Sequence, residues 1–268
     1  MLNAVACHYL KDRKSYQINA SLQAEVQRTV FCDFDGPIVD VSDRYYSTYC
    51  TALNHVNSVS QGQHQGRSLH RLTKHQFWQM KCNRIPDPDI ASHSGLQGNQ
   101  IDIFLEKVQT IVNQPNLLRH DQLQPGVRSA LELLYIHNVK LILVSLRHQA
   151  QLTGLLEHHR LSHLFAGVYG SQNRKSAYKN CATQKSHLLE TAIAHHGLST
   201  ASGQYWMIGD TEADILAGQA HKIPTFALTC GIRSKAYLSR FHPTCIHDDL
   251  LSAVHSVVTE EPAMSLVL

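Results

Sequence analysis

The sequence predicts an α/β fold, in which a parallel sheet is flanked by helices and a helical block is inserted after the first strand. Three observations support this prediction. A β-branched and aromatic run at 29–32 is typical of a buried strand. Between 41 and 123 the apolar residues recur at helical spacing, and we expect no strand there. Beyond 123, short apolar runs alternate with amphipathic segments, as in parallel sheets with crossover helices.

The sheet and its flanking helices are predicted from residues 27–40 and 124–268. We expect strands at 29–32, 139–144, 166–169, 205–208, 225–228 and 244–247. We expect helices at 127–134, 149–159, 186–196, 212–220 and 250–258, and an irregular segment at 171–181.

The helical block is predicted to span residues 41–123. Helices are expected at 41–56, 72–82 and 101–112, with Pro86 and Pro88 stopping the second of them. Residues 1–26 are polar and weakly patterned, and they are predicted to form an N-terminal extension beside the core.

Composition limits the function classes. The 268 residues, 43% of them hydrophobic, suffice for one large domain or for a core with a smaller domain. A net charge of +3 without a dense Lys/Arg run argues against a nucleic-acid partner. No apolar segment approaches the roughly 18 residues that span a bilayer, and the N-terminus lacks the order of a secretory signal. Seven scattered cysteines without a C-x-x-C pair are typical of reduced thiols, so we expect a cytoplasmic protein.

Two carboxylates, Asp33 and Asp35, directly follow the first predicted strand. Side chains at i and i+2 project the same way, and Gly36 allows a sharp turn just beyond them. Open α/β sheets bind their ligands at the carboxyl ends of strands. Two acids placed this close favour a divalent cation that prefers oxygen ligands, such as Mg²⁺. Taken alone, the pair is equally compatible with a solvated polar turn.

Later predicted strands also end in polar groups. Ser145 follows the second strand, and its hydroxyl can donate to a phosphate oxygen, although such serines are often simple turn residues. Arg147 is a weaker candidate for contact with a phosphate or a substrate, because it is expected to be exposed in a loop. Lys185 stands near a predicted helix start, where a cation is unfavourable unless an anion is close, and Lys175 and Lys179 are nearby competitors for the same function. Asp210 and Asp214 follow Gly209 one helical turn apart, although acids also favour helix N-termini for electrostatic reasons.

These residues resemble the four motifs of the haloacid dehalogenase superfamily of phosphohydrolases. Asp33-Phe34-Asp35-Gly36 resembles the first motif, Ser145 the second, Lys185 the third, and the run from Gly209 to Asp214 the fourth. The resemblance extends from about residue 28 to 258 and is greatest to the phosphoglycolate phosphatase-like branch. It implies a Rossmann-like catalytic core, with residues 41–123 as a helical cap. Pro37 departs from the pattern, because the family commonly has Thr there.

The resemblance implies a Mg²⁺-dependent phosphatase of small phosphorylated metabolites. Asp33 would be the nucleophile and Asp35 the general acid and base. Asp33, the Asp35 backbone carbonyl and Asp210 would bind Mg²⁺, with Asp214 orienting Asp210 or a metal-bound water. Ser145 and Lys185, and more weakly Arg147, would hold phosphate oxygens.

The substrate is expected to meet the cap, where four cations could contact a second anionic group, although each is more often a solvated charge: Arg71, Lys74, Lys81 and Arg84. A phosphomutase or a phosphonate hydrolase would share every core residue. A phosphate-binding protein that has lost catalysis is a further alternative, favoured only by Pro37. The sequence defines no oligomeric state.

Overall fold

The computed structural model describes residues 27–59, 69–173, 176–199 and 203–259. The predicted N-terminal extension, residues 1–26, lies outside the described residues.

A six-stranded parallel sheet forms the centre of the described chain, which confirms the predicted α/β fold. The strands are β1 (Arg28–Cys32), β4 (Lys140–His148), β5 (Gly167–Ser171), β6 (Gln204–Gly209), β7 (Thr225–Leu228) and β8 (Cys245–His247). Their order across the sheet is β5-β4-β1-β6-β7-β8, and every neighbouring pair is parallel. β1 therefore lies between β4 and β6, and the ends of these three strands meet at one edge.

Alternate residues of β1 enter two separate hydrophobic clusters. Val30 and Cys32 pack on one face, and Phe31 packs on the other. Both faces are therefore buried, which explains the continuous apolar run that predicts this strand.

Helices cover the two faces of the sheet and fill the inserted block. Those outside the block are α6 (Val127–Ile136), α7 (Gln149–His158), α8 (Ser176–Lys179), α9 (Ala182–His195), α10 (Glu212–Ala220), α11 (Lys235–Leu238) and α12 (Leu250–Thr259). Those within it are α1 (Ser42–Val59), α2 (Lys74–Cys82), α3 (Asp87–His93), α4 (Asn99–Ile111) and α5 (Pro115–Leu118).

The helical insertion, residues 41–123, has a hydrophobic cluster of its own. Tyr49 of α1, Phe77 of α2 and Phe104 of α4 meet at its centre, and the rings of Tyr49 and Phe77 stack at 4.9 Å. A second cluster separate from the sheet is what a small additional domain requires. The division at residues 41 and 123 into cap and core stays a prediction.

Several local expectations differ from the structure. α2 does end at Cys82, but its C-cap is Asn83, and Pro86 and Pro88 stand at the start of α3, because proline is tolerated in a first helical turn. Two short antiparallel strands flank the insertion, β2 (Val39–Asp40) and β3 (Gln122–Leu123). Two residues per strand are too few to leave a periodic signal in the sequence.

In the described ranges, no helix is both long and apolar enough to cross a bilayer.

Candidate active site

Asp33 lies directly after β1 and is held in place through several of its atoms. Its backbone N–H donates to the carbonyl of Ile208 at 2.9 Å, which ties it to β6. Its Oδ1 accepts the N–H of Phe34 at 2.7 Å, and its Oδ2 lies 2.9 Å from Nζ of Lys185. Burial raises the pKa of Asp33 to about 6, although the ammonium of Lys185 opposes this shift.

Lys185 is the buried cation of the site. It is the fourth residue of α9, is only 1% exposed, and contacts Oδ1 of Asp214 at 2.7 Å as well as Asp33. Burial alone would lower the pKa of Lys185, but the carboxylates of Asp214 and Asp33 outweigh it and raise that pKa. The competing lysines of the sequence interpretation differ: Lys175 lies outside the described residues, and Lys179 is at the end of the short helix α8.

Asp210 and Asp214 lie beside Asp33 at the end of β6. Oδ2 of Asp210 accepts the N–H of Ile232 at 2.6 Å, whereas its buried Oδ1 has no hydrogen-bond partner in the described part of the chain. Oδ2 of Asp214 accepts both the backbone N–H and the hydroxyl of Thr211, and thereby caps α10. Burial, with Asp214 and Asp33 adding to it, raises the pKa of Asp210 well above its usual range.

Glycines make this approach of carboxylates possible. A Cβ on Gly36 would lie 2.1 Å from Cγ of Asp210, and Gly36 also has a φ of +95°. A Cβ on Gly231 would meet the same side chain at 2.0 Å, and one on Gly209 would lie 2.2 Å from Cγ of Asp214. Any side chain at these positions would displace an acid.

The three acids fit a divalent cation. Ligand atoms of Asp33, Asp210 and Asp214 all lie within 4.8 Å of one another. The donors are carboxylate oxygens, which Mg²⁺ prefers. One of them, Oδ1 of Asp210, has no hydrogen-bond partner among the described residues, so it is available to a metal ion.

Ser145 and Arg147 belong to the same strand, β4. Ser145 is 1% exposed, lines the cavity beside Asp33, and accepts the N–H of Arg147 on its Oγ at 3.3 Å. The expectation that Arg147 is exposed in a loop is wrong. β4 continues to His148, and Arg147 is 1% exposed because buried carboxylates surround its guanidinium. Its contact with a phosphate stays a prediction.

Asp35 projects toward Arg147 and toward Arg44, which sequence reasoning missed. Oδ1 of Asp35 lies 2.7 Å from Nε of Arg147, and Oδ2 accepts Nη2–H of Arg44 at 2.7 Å. Although burial opposes the shift, the two guanidinium groups lower the pKa of Asp35 below its ordinary value. A signal for Arg44 was present, because it falls at four-residue spacing with the buried residues Thr48 and Ala52 of α1.

The cavity above the acids is lined by residues of the helical insertion and of the core, including the short helix α8. Lys81 lies there between two tyrosine rings, 5.6 Å from the centre of Tyr45 and 5.3 Å from that of Tyr178. Nζ of Lys81 contacts Asp87 at 2.8 Å, and the hydroxyl of Tyr178 donates to the same carboxylate. The cavity lining includes these residues of the insertion and the opposing loops: Tyr45, Lys81, Arg84, Tyr178, Asn180 and Arg233.

Of the four cations predicted on the insertion, the structure brings two to the cavity. Lys81 and Arg84 line it, whereas Arg71 contacts Asn54 and the exposed Lys74 pairs with Asp43. Sequence reasoning missed Arg233, which is 3% exposed and follows β7 in a loop. Its Nε donates to Glu212, as does Nε of Arg84, so one carboxylate joins the two arginines.

Pro37 lies in a turn that does not need the missing N–H. The N–H of Gly36 donates to the carbonyl of Val39, and the N–H groups of Ile38 and Val39 both donate to that of Phe34. The turn is therefore closed by its neighbours.

Comparison with known proteins agrees with this geometry. Residues 30–228 match the family described as haloacid dehalogenase-like hydrolase. The chain belongs to this family, which confirms the resemblance seen in the sequence.

Two curated relatives match in part. A phosphoglycolate phosphatase of Aliivibrio fischeri (strain ATCC 700601 / ES114) is 32% identical over 127 residues, which are 47% of this chain and 53% of that protein. The pyrophosphatase PpaX of Oceanobacillus iheyensis is 26% identical over 156 residues, 57% of this chain and 70% of that protein. The chain thus spans about half the length of the first relative.

Solved structures share the fold. A hydrolase of the haloacid dehalogenase-like family from Streptococcus pneumoniae superposes with a TM-score of 0.60 at 20% identity, covering 86% of this chain and 98% of that one. A structure described as a predicted phosphoglycolate phosphatase from Haemophilus somnus 129pt gives 0.62 at 19% identity, covering 86% and 97%.

Proposed function

We propose that this chain is a Mg²⁺-dependent phosphatase that hydrolyses small phosphorylated metabolites through an aspartyl-phosphate on Asp33. The observation that carries the proposal is the placement of Asp33. Its carboxylate faces a cavity, lies 2.9 Å from the ammonium of Lys185, and belongs to a three-acid cluster within 4.8 Å. A buried carboxylate held this firmly is suited to nucleophilic attack on phosphorus.

In the first half of the reaction, a carboxylate oxygen of Asp33 forms a bond to phosphorus while the bond to the leaving oxygen breaks. Asp35 takes up a proton when the negatively charged phosphate binds beside it, because a like charge raises its pKa, and it donates this proton to the leaving oxygen. In the second half, water attacks phosphorus, Asp35 takes the proton from the water, and the bond from phosphorus to Asp33 breaks. Phosphate leaves and both aspartates return to their starting states.

Ser145 and Lys185 support the phosphoryl group. The hydroxyl of Ser145 lines the cavity and can donate to a phosphoryl oxygen. Lys185, which contacts both Asp33 and Asp214, adds positive charge where charge accumulates on phosphorus.

Asp33, Asp210 and the backbone carbonyl of Asp35 would hold Mg²⁺, and the neighbouring Asp214 would orient Asp210. The ion would offset the repulsion between the carboxylates and the phosphate. The unpartnered oxygen of Asp210 supports this assignment.

The substrate is proposed to be small, because the cavity is bounded by the acids on one side and by residues of the insertion and the core loops on the other. The names of the two relatives suggest phosphoglycolate and pyrophosphate as the first compounds to test.

The experiment is phosphate release from a panel of phosphorylated metabolites, with and without Mg²⁺, by the native chain and by Asp33→Asn. We expect Mg²⁺-dependent release by the native chain and none by the variant. The panel includes an aryl phosphate, which needs no specific recognition. If the native chain releases no phosphate from any compound, the proposal is overturned.

A phosphonate hydrolase is the second candidate, favoured by Lys81. This lysine is 6% exposed, lines the cavity, and burial lowers its pKa, as an amine that attacks an aldehyde requires. Asp87 at 2.8 Å favours the ammonium form and so argues against it. Borohydride added with a phosphono-aldehyde would attach the substrate to Lys81 if the imine forms. An unmodified Lys81 would reject this candidate.

A further inference from the structure

Four charged side chains form a closed ring beside the cavity. Asp35 contacts Arg44 and Arg147, each at 2.7 Å. Both arginines also contact Asp121, Arg44 through Nε at 3.0 Å and Arg147 through Nη2 at 2.5 Å. Each carboxylate therefore bridges two guanidinium groups, and the ring, Asp35–Arg44–Asp121–Arg147, has no net charge when all four groups are ionised.

The ring lies where the helical insertion joins the core. Arg44 is in the first turn of α1, just after β2, and Asp121 directly precedes β3. The strands β2 and β3 pair with each other and form the two connections between the insertion and the core. Each connection therefore has one residue of the ring next to it. Asp35 and Arg147 follow or end core strands.

The burial of the ring is uneven. The side chains of Arg44 and Arg147 are 1% exposed and that of Asp121 is 0%, whereas that of Asp35 is 18% exposed and lines the cavity. Buried ion networks often stabilise a fold less than apolar residues of similar volume do. What this network does achieve is to hold both oxygens of one cavity-facing carboxylate from two directions.

We propose that Arg44 and Asp121 are positioning residues, which act through the ring to hold the carboxylate of Asp35 in the orientation that proton transfer requires. This inference rests on the proposed function, because it needs Asp35 to serve as general acid. Asp121 does not line the cavity and pairs with the two arginines, so it acts by fixing them. A general acid must lie within hydrogen-bond reach of the leaving oxygen, and small misplacements reduce the rate strongly.

The test compares leaving groups. An alkyl phosphate expels a strongly basic oxygen that needs a proton, whereas 4-nitrophenyl phosphate expels a weakly basic one. The constant kcat/KM reports on steps up to the departure of the leaving group, so it isolates the first use of Asp35. A loss that is greater for the alkyl phosphate indicates a misplaced acid, and a merely structural defect would lower both values equally.

Two ring variants are used. Asp121→Asn keeps the shape of the side chain but removes its charge. The double variant Arg44→Met with Asp121→Leu removes one charge of each sign, so it leaves no unpaired charge and keeps the test usable if the single variant fails to fold. The matched control is Asp43→Asn with Lys74→Met, which removes an exposed pair on the same helical insertion, outside the cavity. Asp35→Asn sets the upper limit of the effect.

We expect the ring variants to lose at least about 10-fold more kcat/KM with the alkyl phosphate than with 4-nitrophenyl phosphate, within the roughly 10²- to 10⁴-fold range of general acid catalysis. The control should change neither value. Equal losses for both substrates, or no loss, would overturn the positioning function while leaving the phosphatase intact. A native chain that releases phosphate from neither substrate and from no compound of the metabolite panel would instead overturn the proposed function, and this inference with it.

Discussion

The floor and the roof of the cavity differ in how their charges are balanced. The floor consists of Asp33 and Asp210, which line the cavity, and of Asp214 and Lys185, which are buried beside them, so it has three carboxylates for one cation. The roof has three cations for two carboxylates: Lys81, Arg84, Arg233, Asp87 and Glu212. When all groups are ionised, the floor lacks two positive charges and the roof has one in excess. The floor therefore suits a divalent cation, and the roof suits an anionic part of a substrate.

Removing the one cation of the floor should have the largest effect. Lys185→Met leaves the buried carboxylates of Asp33 and Asp214 without their partner. We expect activity to fall on the order of 10³-fold, and the free energy of unfolding to fall by about 3 kcal/mol. Phosphate release and urea unfolding measure the two effects.

The matched control for this variant is Lys74→Met. Lys74 pairs with Asp43 on the surface, where both side chains are about half exposed (43% and 54%). Its loss should change the free energy of unfolding by less than about 1 kcal/mol, because solvent screens such pairs. Similar effects of the two substitutions would refute the distinction between the floor and an ordinary ion pair.

The next effect concerns Mg²⁺ and pH. Burial raises the pKa of Asp33 to about 6 and that of Asp210 well above its usual range. The folded chain therefore holds more protons than the unfolded chain, and without metal these acids cost stability as the pH rises through about 6. Mg²⁺ should remove this cost. The rise in Tm on adding Mg²⁺ should be greater near pH 7.5 than near pH 5, by roughly 2–4 °C.

Because Tm is compared with and without Mg²⁺ at the same pH, the contribution of histidine titration to Tm is common to both samples and cancels. Na⁺ at equal ionic strength is the control for screening. A rise in Tm that is independent of pH, or greater at low pH, would contradict a metal site built from Asp33 and Asp210.

The smallest effect is expected at the roof. Arg84 is partly exposed and shares Glu212 with Arg233, so Arg84→Ala removes the excess charge without leaving a buried group alone. KM for a substrate with a second anionic group should rise roughly 3- to 10-fold, with kcat little changed. Arg71→Ala, outside the cavity, is the control. An unchanged KM would show that the excess charge does not contact substrate.

The sequence could predict the floor because each of its residues follows a strand or begins a helix. Asp33 and Asp210 directly follow β1 and β6, which are neighbours in the sheet, so a parallel topology brings them together. Lys185 needed the resemblance to be chosen among three nearby lysines. The close approach of Asp33 and Asp210 also depends on Gly36 and Gly231, which leave room for the side chain of Asp210. That contact arises only in the folded chain, so the sequence could not predict it.

The roof and the ring could be predicted only in part. Lys81 and Arg84 were candidates, but Arg233 lies in a loop after β7 without any periodic pattern. Asp121 likewise stands between a short helix and a two-residue strand. These residues meet through the docking of the helical insertion on the core, which pairs positions distant in the chain. Of the residues that sequence reasoning missed, Arg44 alone has a recognisable pattern, because it is a charged residue at four-residue spacing with the buried face of α1.

The most direct test of the proposed mechanism is to look for the covalent intermediate on Asp33. The native chain is mixed with substrate and Mg²⁺, quenched in acid within one turnover, digested, and analysed by mass spectrometry. We expect one phosphoryl group on the peptide that contains Asp33, and none in Asp33→Asn. Continued phosphate release by the native chain without any phosphorylated peptide, or phosphorylation at another residue, would contradict Asp33 as the nucleophile.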